Sequence, residues 1–188
     1  MGTFSKLATS AIGALLFVVV PNLSLAVAAT SDDLFNDYFS NVLAGTPCFA
    51  RTYDDAHLNA HPSQRVRAIE IDLSKSNSDG TPNSADRFEL GFALMLRSGP
   101  EWFGQSANCK TNETDFECYL ESDGGIFRLI PQKGGGLRLE AGESGISLEG
   151  SNGDVELSGK NGEDRIFDLV PSKEECQAAS AYFEGGNE

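Results

Sequence analysis

Large apolar side chains recur at every other position along two stretches in the middle of the chain, at 66–73 and 88–96. In the second stretch they are Phe88, Leu90, Phe92, Leu94 and Leu96. Successive side chains of a β-strand point to opposite faces, so this alternation predicts half-buried strands. Further along, Asp123-Gly124 is a dipeptide typical of a two-residue hairpin turn, and a turn centred there would pair Cys118 with Leu129.

From Gln132 the sequence falls into four consecutive nonapeptides, and their eighth positions are apolar: Leu139, Leu148, Leu157 and Ile166. A glycine-rich period of nine occurs in calcium-binding parallel rolls, but those carry an aspartate at the sixth position of each unit. Here only Asp164 stands at such a position. An antiparallel meander with turns at Asn152-Gly153 and Asn161-Gly162 fits better. It pairs Leu157 with Leu148 on one side and with Ile166 on the other, all facing inward.

The pattern as a whole predicts a mainly β fold, an antiparallel meander of about eight short strands. Their expected positions are 66–73, 87–96, 116–121, 126–131, 136–140, 145–149, 154–158 and 164–170. Sequential short strands favour a small closed barrel, because closure leaves no exposed edge, and a two-sheet sandwich is the alternative. Residues 98–115 are expected to be irregular.

Two segments outside the strands have helical spacing. In Ser31–Ala44, acidic residues follow a capping serine, and one face carries Leu34, Tyr38, Phe39 and Val42. This predicts a short N-terminal helix whose aromatic side chains cover the core. A short C-terminal helix is predicted at Lys173–Phe183.

The first 28 residues resemble a targeting segment rather than part of a fold. Lys6 is followed by the apolar run Ile12–Val20, and Ala26-Val27-Ala28 fits a signal peptidase site. The run is shorter than the roughly 20 residues of a membrane span, which disfavours the alternative of an uncleaved anchor. We therefore expect a signal peptide at 1–28, cleaved near Ala28, and a single exported domain at 29–188, secreted or periplasmic.

The four cysteines all lie in the expected mature domain, at Cys48, Cys109, Cys118 and Cys176. An even number in an oxidising compartment predicts two disulfides, with three possible pairings. The polar stretch between Cys109 and Cys118 suits a hairpin, which favours that pair and leaves Cys48 to bond with Cys176. A zinc site would need closely spaced cysteine pairs, and none is present.

Charge narrows the range of partners. The chain has 28 acidic and 14 basic residues, a net charge of −14. Such a surface repels phosphate backbones and anionic lipid, so we expect no nucleic acid partner and no membrane contact after signal cleavage. The expected partner is an unknown protein or small molecule, bound by a monomer.

Two groups of residues are candidates for a site. His57 and His61, four apart with Asp54 nearby, could hold a metal on one helical face. A capped surface turn is the favoured explanation, because the segment is short and the glutamate of H-E-x-x-H is absent. Trp102 and Phe103 are adjacent large aromatics that suit contact with a ligand or partner, or else a plug at one barrel end. No cofactor is expected.

No catalytic motif supports an enzyme. Gly142–Ile146 resembles a G-x-S-x-G elbow, but isoleucine replaces the last glycine. The expected function is therefore that of an exported, non-catalytic barrel domain that binds through loops or a barrel end. The alternative is a carboxylate-based hydrolase acting on cell-envelope polymers. That enzyme would need a cleft holding two acidic side chains, at least one with a raised pKa.

Overall fold

The structure is a computed structural model, and it describes residues 2, 30–40, 48–157, 164–174 and 176–182. Except for residue 2, the expected signal peptide lies outside these ranges. So do the end of the predicted N-terminal helix at 41–44 and the predicted turn at Asn161-Gly162.

Nine strands and three short helices make up the described residues. The strands are β1 (Cys48–Thr52), β2 (Val66–Leu73), β3 (Phe88–Leu96), β4 (Trp102–Thr111), β5 (Phe116–Leu120), β6 (Gly125–Pro131), β7 (Leu137–Leu148), β8 (Val155–Leu157) and β9 (Ile166–Pro171). The helices are α1 (Ser31–Phe35), which continues as a π-helical turn over Asn36–Ser40, then α2 (Asp55–Ala60) and α3 (Gln177–Ser180).

Eight of the strands form a closed antiparallel barrel. β1 to β7 pair in chain order, and β9 closes the barrel by pairing with both β7 and β1. β8 is an extra strand, paired with the last three residues of β7. The predicted small barrel is thus confirmed. Every strand pairing in the described part of the chain is antiparallel, as in the favoured meander.

Aromatic side chains fill the barrel. The largest buried side chains are Phe88, Phe92, Phe116, Phe127 and Phe167. One end is covered by α1 and its π-helical turn, where the Phe39 ring lies 5.0 Å from both Phe88 and Phe116, centroid to centroid. Thr30 begins α1 by exchanging hydrogen bonds with Asp33 in a capping box. The N-terminal segment therefore covers the core with its aromatic face, as its helical spacing predicts.

The strand inventory differs from the sequence prediction at three places. β1 was not predicted, and residues 98–115 are not irregular, because β4 occupies most of them. The predicted strands 136–140 and 145–149 are one strand, β7. No break separates them, and Gly145 takes a left-handed φ of 84° inside the strand, where the pairing of β6 with β7 shifts register.

Two hairpins are paired two residues away from the predicted register. Leu148 pairs with Val155 rather than Leu157, and Cys118 pairs with Phe127 rather than Leu129. In the hairpin that pairs Leu148 with Val155, the turn hydrogen bond runs from Gly153 N–H to Gly150 C=O. Gly153 therefore follows the two central residues, with a φ of 119°, instead of being one of them. A shift of two preserves the side-chain alternation, so Leu148 and Leu157 still face inward as predicted.

The predicted pairing of Leu157 with Ile166 is wrong. Ile166 pairs with Glu140 of β7, and its side chain faces outward with 48% of its surface exposed. Phe167 and Leu169 are the inward residues of β9. The nonapeptide period fails here because β9 leaves the β7–β8 hairpin and completes the barrel.

Both predicted disulfides are present. Cys109–Cys118 joins directly paired residues of β4 and β5 and belongs to the main core. Cys48–Cys176 joins the first residue of β1 to the residue before α3, on the outside of the barrel. The outer disulfide thereby holds the C-terminal segment against the barrel wall.

Candidate functional site

The outer wall of β1 to β4 carries a row of mostly small side chains. Ala50 pairs with Glu70, Glu70 with Ala93, and Ala93 with Gly104, one residue from each strand. Glu70 is the only long side chain in this row. The row forms a shallow channel across four strands, and α3 packs against β2, β3 and β4 there.

The C-terminal segment fits this channel closely. Ala93 faces outward from the barrel yet is fully buried, in one cluster with Ala179 and the outer disulfide. The ring of Tyr182 lies over Gly104, where any larger side chain would overlap it. The Tyr182 hydroxyl donates to the backbone oxygen of Trp102 at 3.3 Å.

Glu70 fixes the start of α3. One carboxylate oxygen, Oε2, accepts the backbone N–H groups of Ala178 at 3.1 Å and Ala179 at 3.3 Å. Burial raises the pKa of Glu70, while these two hydrogen bonds act in the opposite direction. The carboxyl group is therefore partly desolvated, and the two groups that donate to it are backbone amides rather than cations.

A cleft of about 580 Å³ opens beside this contact, lined by Glu70, Trp102, Glu174, Gln177 and Ala178. Trp102 is partly exposed there and is the only tryptophan of the chain. Among the residues that the structure describes, two carboxylates and no basic side chain line the cleft. The surroundings are also acidic, since burial and then the charges of Glu101 and Glu149 raise the pKa of nearby Tyr182.

Trp102 and Phe103 do not form one site. Both lie on β4 rather than in a loop, so their side chains point to opposite faces. Trp102 faces the cleft. Phe103 packs against the main core and lies under Gly150 of the β7–β8 hairpin. A role for either in binding stays a prediction, and only Trp102 lines the cleft.

The histidine group is organised by hydrogen bonds and stacking. Asp54 is the N-cap of α2, and its carboxylate accepts the backbone N–H of His57 at 2.8 Å. His57 Nε2 lies 3.0 Å from Gln64 Oε1, and the His57 and His61 rings stack with centroids 4.4 Å apart. Within the described ranges, no three His, Cys, Asp or Glu side chains are arranged as a metal site. Metal binding by this group stays a prediction.

A second acidic group lies buried on the same outer wall. Glu89 is 1% exposed, and its carboxylate accepts the Ser106 hydroxyl at 2.6 Å and the Ser78 N–H at 2.7 Å. These bonds hold the polar loop after β2 against the barrel. Glu89 therefore links this loop to β3 and β4.

Sequence reasoning missed Glu70, Glu174 and Gln177. Glu70 resembles any outward-facing residue of a half-buried strand, because nothing local shows that α3 returns to cover it. One signal was available, since the predicted Cys48–Cys176 bond brings the C-terminal helix beside the first residues of the domain. That constraint places α3 near Cys48, although it does not select the outer face of the barrel.

Within the described part of the chain, no helix is long and apolar enough to cross a membrane. Comparison with known protein families, with curated proteins and with solved structures finds no match for this chain. Function is therefore inferred from the chemistry of the site.

Proposed function

We propose that this protein is an exported, non-catalytic β-barrel module that binds a protein partner through the cleft beside Trp102. The observation that carries the proposal is a partly exposed indole next to two carboxylates, Glu70 and Glu174, with no basic side chain among the described lining residues. An indole face attracts a cation, and a carboxylate pairs with one. The cleft therefore suits a lysine or arginine side chain of the partner.

Other features of the molecule support binding at the outer surface of the barrel. The barrel interior is filled by phenylalanine and aliphatic side chains, which leaves the surface as the place for a ligand. A net charge of −14 speeds encounter with a basic partner through electrostatic steering. Two disulfides are compatible with a secreted or periplasmic location.

The test uses Trp102 both as probe and as target. The full chain is titrated with a short lysine- and arginine-rich peptide while Trp102 fluorescence is followed, and a glutamate-rich peptide of equal length is the control. We expect a saturable change with the basic peptide alone. By calorimetry, Trp102→Ala should weaken binding about 30-fold, the size expected of a central interface tryptophan. Tyr119→Ala is the matched variant, since Tyr119 is an exposed aromatic on β5.

Two results would contradict the proposal. Equal affinity of the Trp102→Ala variant and the unaltered protein would mean that the peptide binds the acidic surface at large. Equal loss in the Tyr119→Ala variant would remove the assignment to this cleft.

A hydrolase is the second candidate, because the cleft does hold two glutamates and the pKa of Glu70 is raised. A carboxyl with a raised pKa suits a general acid, with Glu174 as the second carboxylate. Glu70 is, however, already engaged with two amides of α3. Release of soluble fragments from purified cell-wall polysaccharide, lost in both Glu70→Gln and Glu174→Gln, would favour the enzyme. No release, or release unchanged in the variants, would exclude it.

A further inference from the structure

We infer that the segment Cys176–Tyr182 is a strap over the outer wall, held closed by the Cys48–Cys176 disulfide and released when that bond is reduced. The inference concerns regulation of the cleft, so its consequence for binding rests on the proposed function. The structural part, closing and opening of the strap, does not.

The strap has little stability of its own. Its helix, α3, is a single turn of four residues, and isolated helices this short do not persist in water. Its noncovalent attachments include the two amides bonded to Glu70, the burial of Ala179, and the contact of Tyr182 with Gly104 and Trp102. The disulfide is the one covalent link that returns the strap to β1.

The barrel, in contrast, is closed without the strap. Its eight strands are joined by a continuous ladder of backbone pairs, and β9 completes the ring before the strap begins. The second disulfide, Cys109–Cys118, belongs to the main core, whereas Cys48–Cys176 belongs to a small outer cluster with Ala93 and Ala179. Fraying of a one-turn helix exposes the outer bond before the inner one, so a reductant reaches it first.

The chemistry is thiol–disulfide exchange with a dithiol reductant. A thiolate of the reductant attacks one sulfur of the Cys48–Cys176 bond, and the other cysteine leaves as a thiolate and takes up a proton. The second thiol of the reductant then resolves the mixed disulfide. The products are two cysteine thiols on this chain and one disulfide on the reductant.

Opening changes the cleft directly. Gln177 and Ala178 are strap residues that line it, and Ala178 and Ala179 supply the amides that hold Glu70. When the strap leaves, Glu70, Ala93 and Gly104 become exposed and Trp102 loses the cover of Tyr182. The closed cleft beside Trp102 becomes an open channel of small side chains across four strands.

The test compares two double variants of the full chain, Cys48→Ser/Cys176→Ser and Cys109→Ser/Cys118→Ser. Hydrogen exchange is measured at the amides of Ala178 and Ala179 and at those of β3, together with Trp102 fluorescence. In the first variant we expect exchange at the strap amides to rise at least about tenfold while β3 stays protected, as local opening requires. Trp102 emission should shift to longer wavelength. The second variant should keep the strap amides protected.

Unchanged protection of Ala178 and Ala179 in the first variant would overturn the inference, because noncovalent contacts would then suffice to close the strap. If that variant does not fold, the unaltered protein is reduced stepwise with dithiothreitol, and loss of strap and β3 protection is timed. Simultaneous loss would equally overturn it, and earlier loss at the strap would support it. Failure of the basic peptide to bind either redox form would instead count against the proposed function alone.

Discussion

Glu70 shows how a single side chain links stability to pH. Its pKa is raised in the folded chain, so ionisation costs the folded state more than the unfolded state. The contribution of Glu70 to stability is therefore fully present below the ordinary pKa of a glutamate and falls as the pH rises through the raised value. Glutamine keeps an oxygen acceptor for the amides of Ala178 and Ala179 but carries no charge.

The prediction is that Glu70→Gln gains stability relative to the unaltered protein as the pH rises. Thermal unfolding of both proteins between about pH 3 and pH 8 measures this difference. At the acid end the two melting temperatures should be close, and near neutrality the variant should be equal or higher. A relative gain by the unaltered protein with rising pH would mean that the ionised carboxylate stabilises α3 more than its burial costs.

Leu157 and Ile166 occupy the same position of the nonapeptide period but opposite environments. Leu157 is fully buried in the core, whereas Ile166 faces solvent on β9. Leu157→Ala should therefore lower the free energy of unfolding by about 2–5 kcal/mol. Ile166→Ala should change it by roughly 0.5 kcal/mol or less. Urea denaturation checks both, and equal losses would contradict the register in which β9 pairs with β7 and β1.

At the scale of elements, the sequence predicts strands well where one face is apolar and the other polar. β2 and β3 carry a large apolar side chain at every other position, and their bounds were predicted within a residue. β4 does not. Its inward residues include the polar Gln105, whose side chain donates to the backbone of Glu121, and its outward residues include the large Trp102. A strand whose inward residues are not uniformly apolar escapes a pattern of period two.

The turn dipeptides predicted which face of the sheet each side chain occupies, but not which residues pair. Hairpins do occur at Asp123-Gly124 and Asn152-Gly153, yet each turn is centred one residue earlier than the dipeptide. An asparagine or aspartate followed by glycine fits the centre of a turn or its trailing edge, and the local sequence does not distinguish the two. The predicted inward and outward faces are nevertheless correct, because the observed partner of each residue lies two positions from the predicted partner.

The candidate site was predictable only in part. Trp102 was identified as an unusual residue, and the Cys48–Cys176 pairing was correct. The partners of Trp102 come from β2 and from the C-terminal segment, and two of them, Glu70 and Glu174, are 104 residues apart in sequence. Their meeting depends on closure of the barrel, which a single sequence indicates only through the disulfide.

The aromatic cover at the barrel end is the element whose contribution is easiest to measure. Phe39 is 3% exposed and contacts the rings of Phe49, Phe88 and Phe116. We expect Phe39→Ala to destabilise the fold by about 3–5 kcal/mol, as for other buried phenylalanines. Asp37→Ala, an exposed position in the same π-helical turn, is the matched control and should have little effect. If both variants unfold like the unaltered protein in urea, the segment does not cover the core in solution.

At the scale of the whole molecule, charge is the least balanced property. Acidic residues outnumber basic ones by two to one, so ion pairs cannot neutralise most carboxylates. Several described pairs, such as Arg67–Asp55 and Arg138–Asp168, are exposed on both sides and contribute little. Two ion pairs, Arg65–Asp164 and Arg128–Asp115, are less screened by solvent, because their carboxylates are buried. Repulsion among the unpaired carboxylates therefore opposes the compact state.

Added salt should consequently stabilise this protein. The screening length falls to about 10 Å at 0.1 M and 3 Å at 1 M ionic strength, which weakens repulsion across the surface more than it weakens pairs with a buried carboxylate. We expect the melting temperature at neutral pH to rise steadily with sodium chloride. Near pH 4.4, the isoelectric point, the same series should be nearly flat, because protonation has already removed the excess charge. A melting temperature that falls with salt at neutral pH would mean that the ion pairs at Asp164 and Asp115 outweigh the repulsion. Substitution of those two residues by asparagine should then abolish the fall.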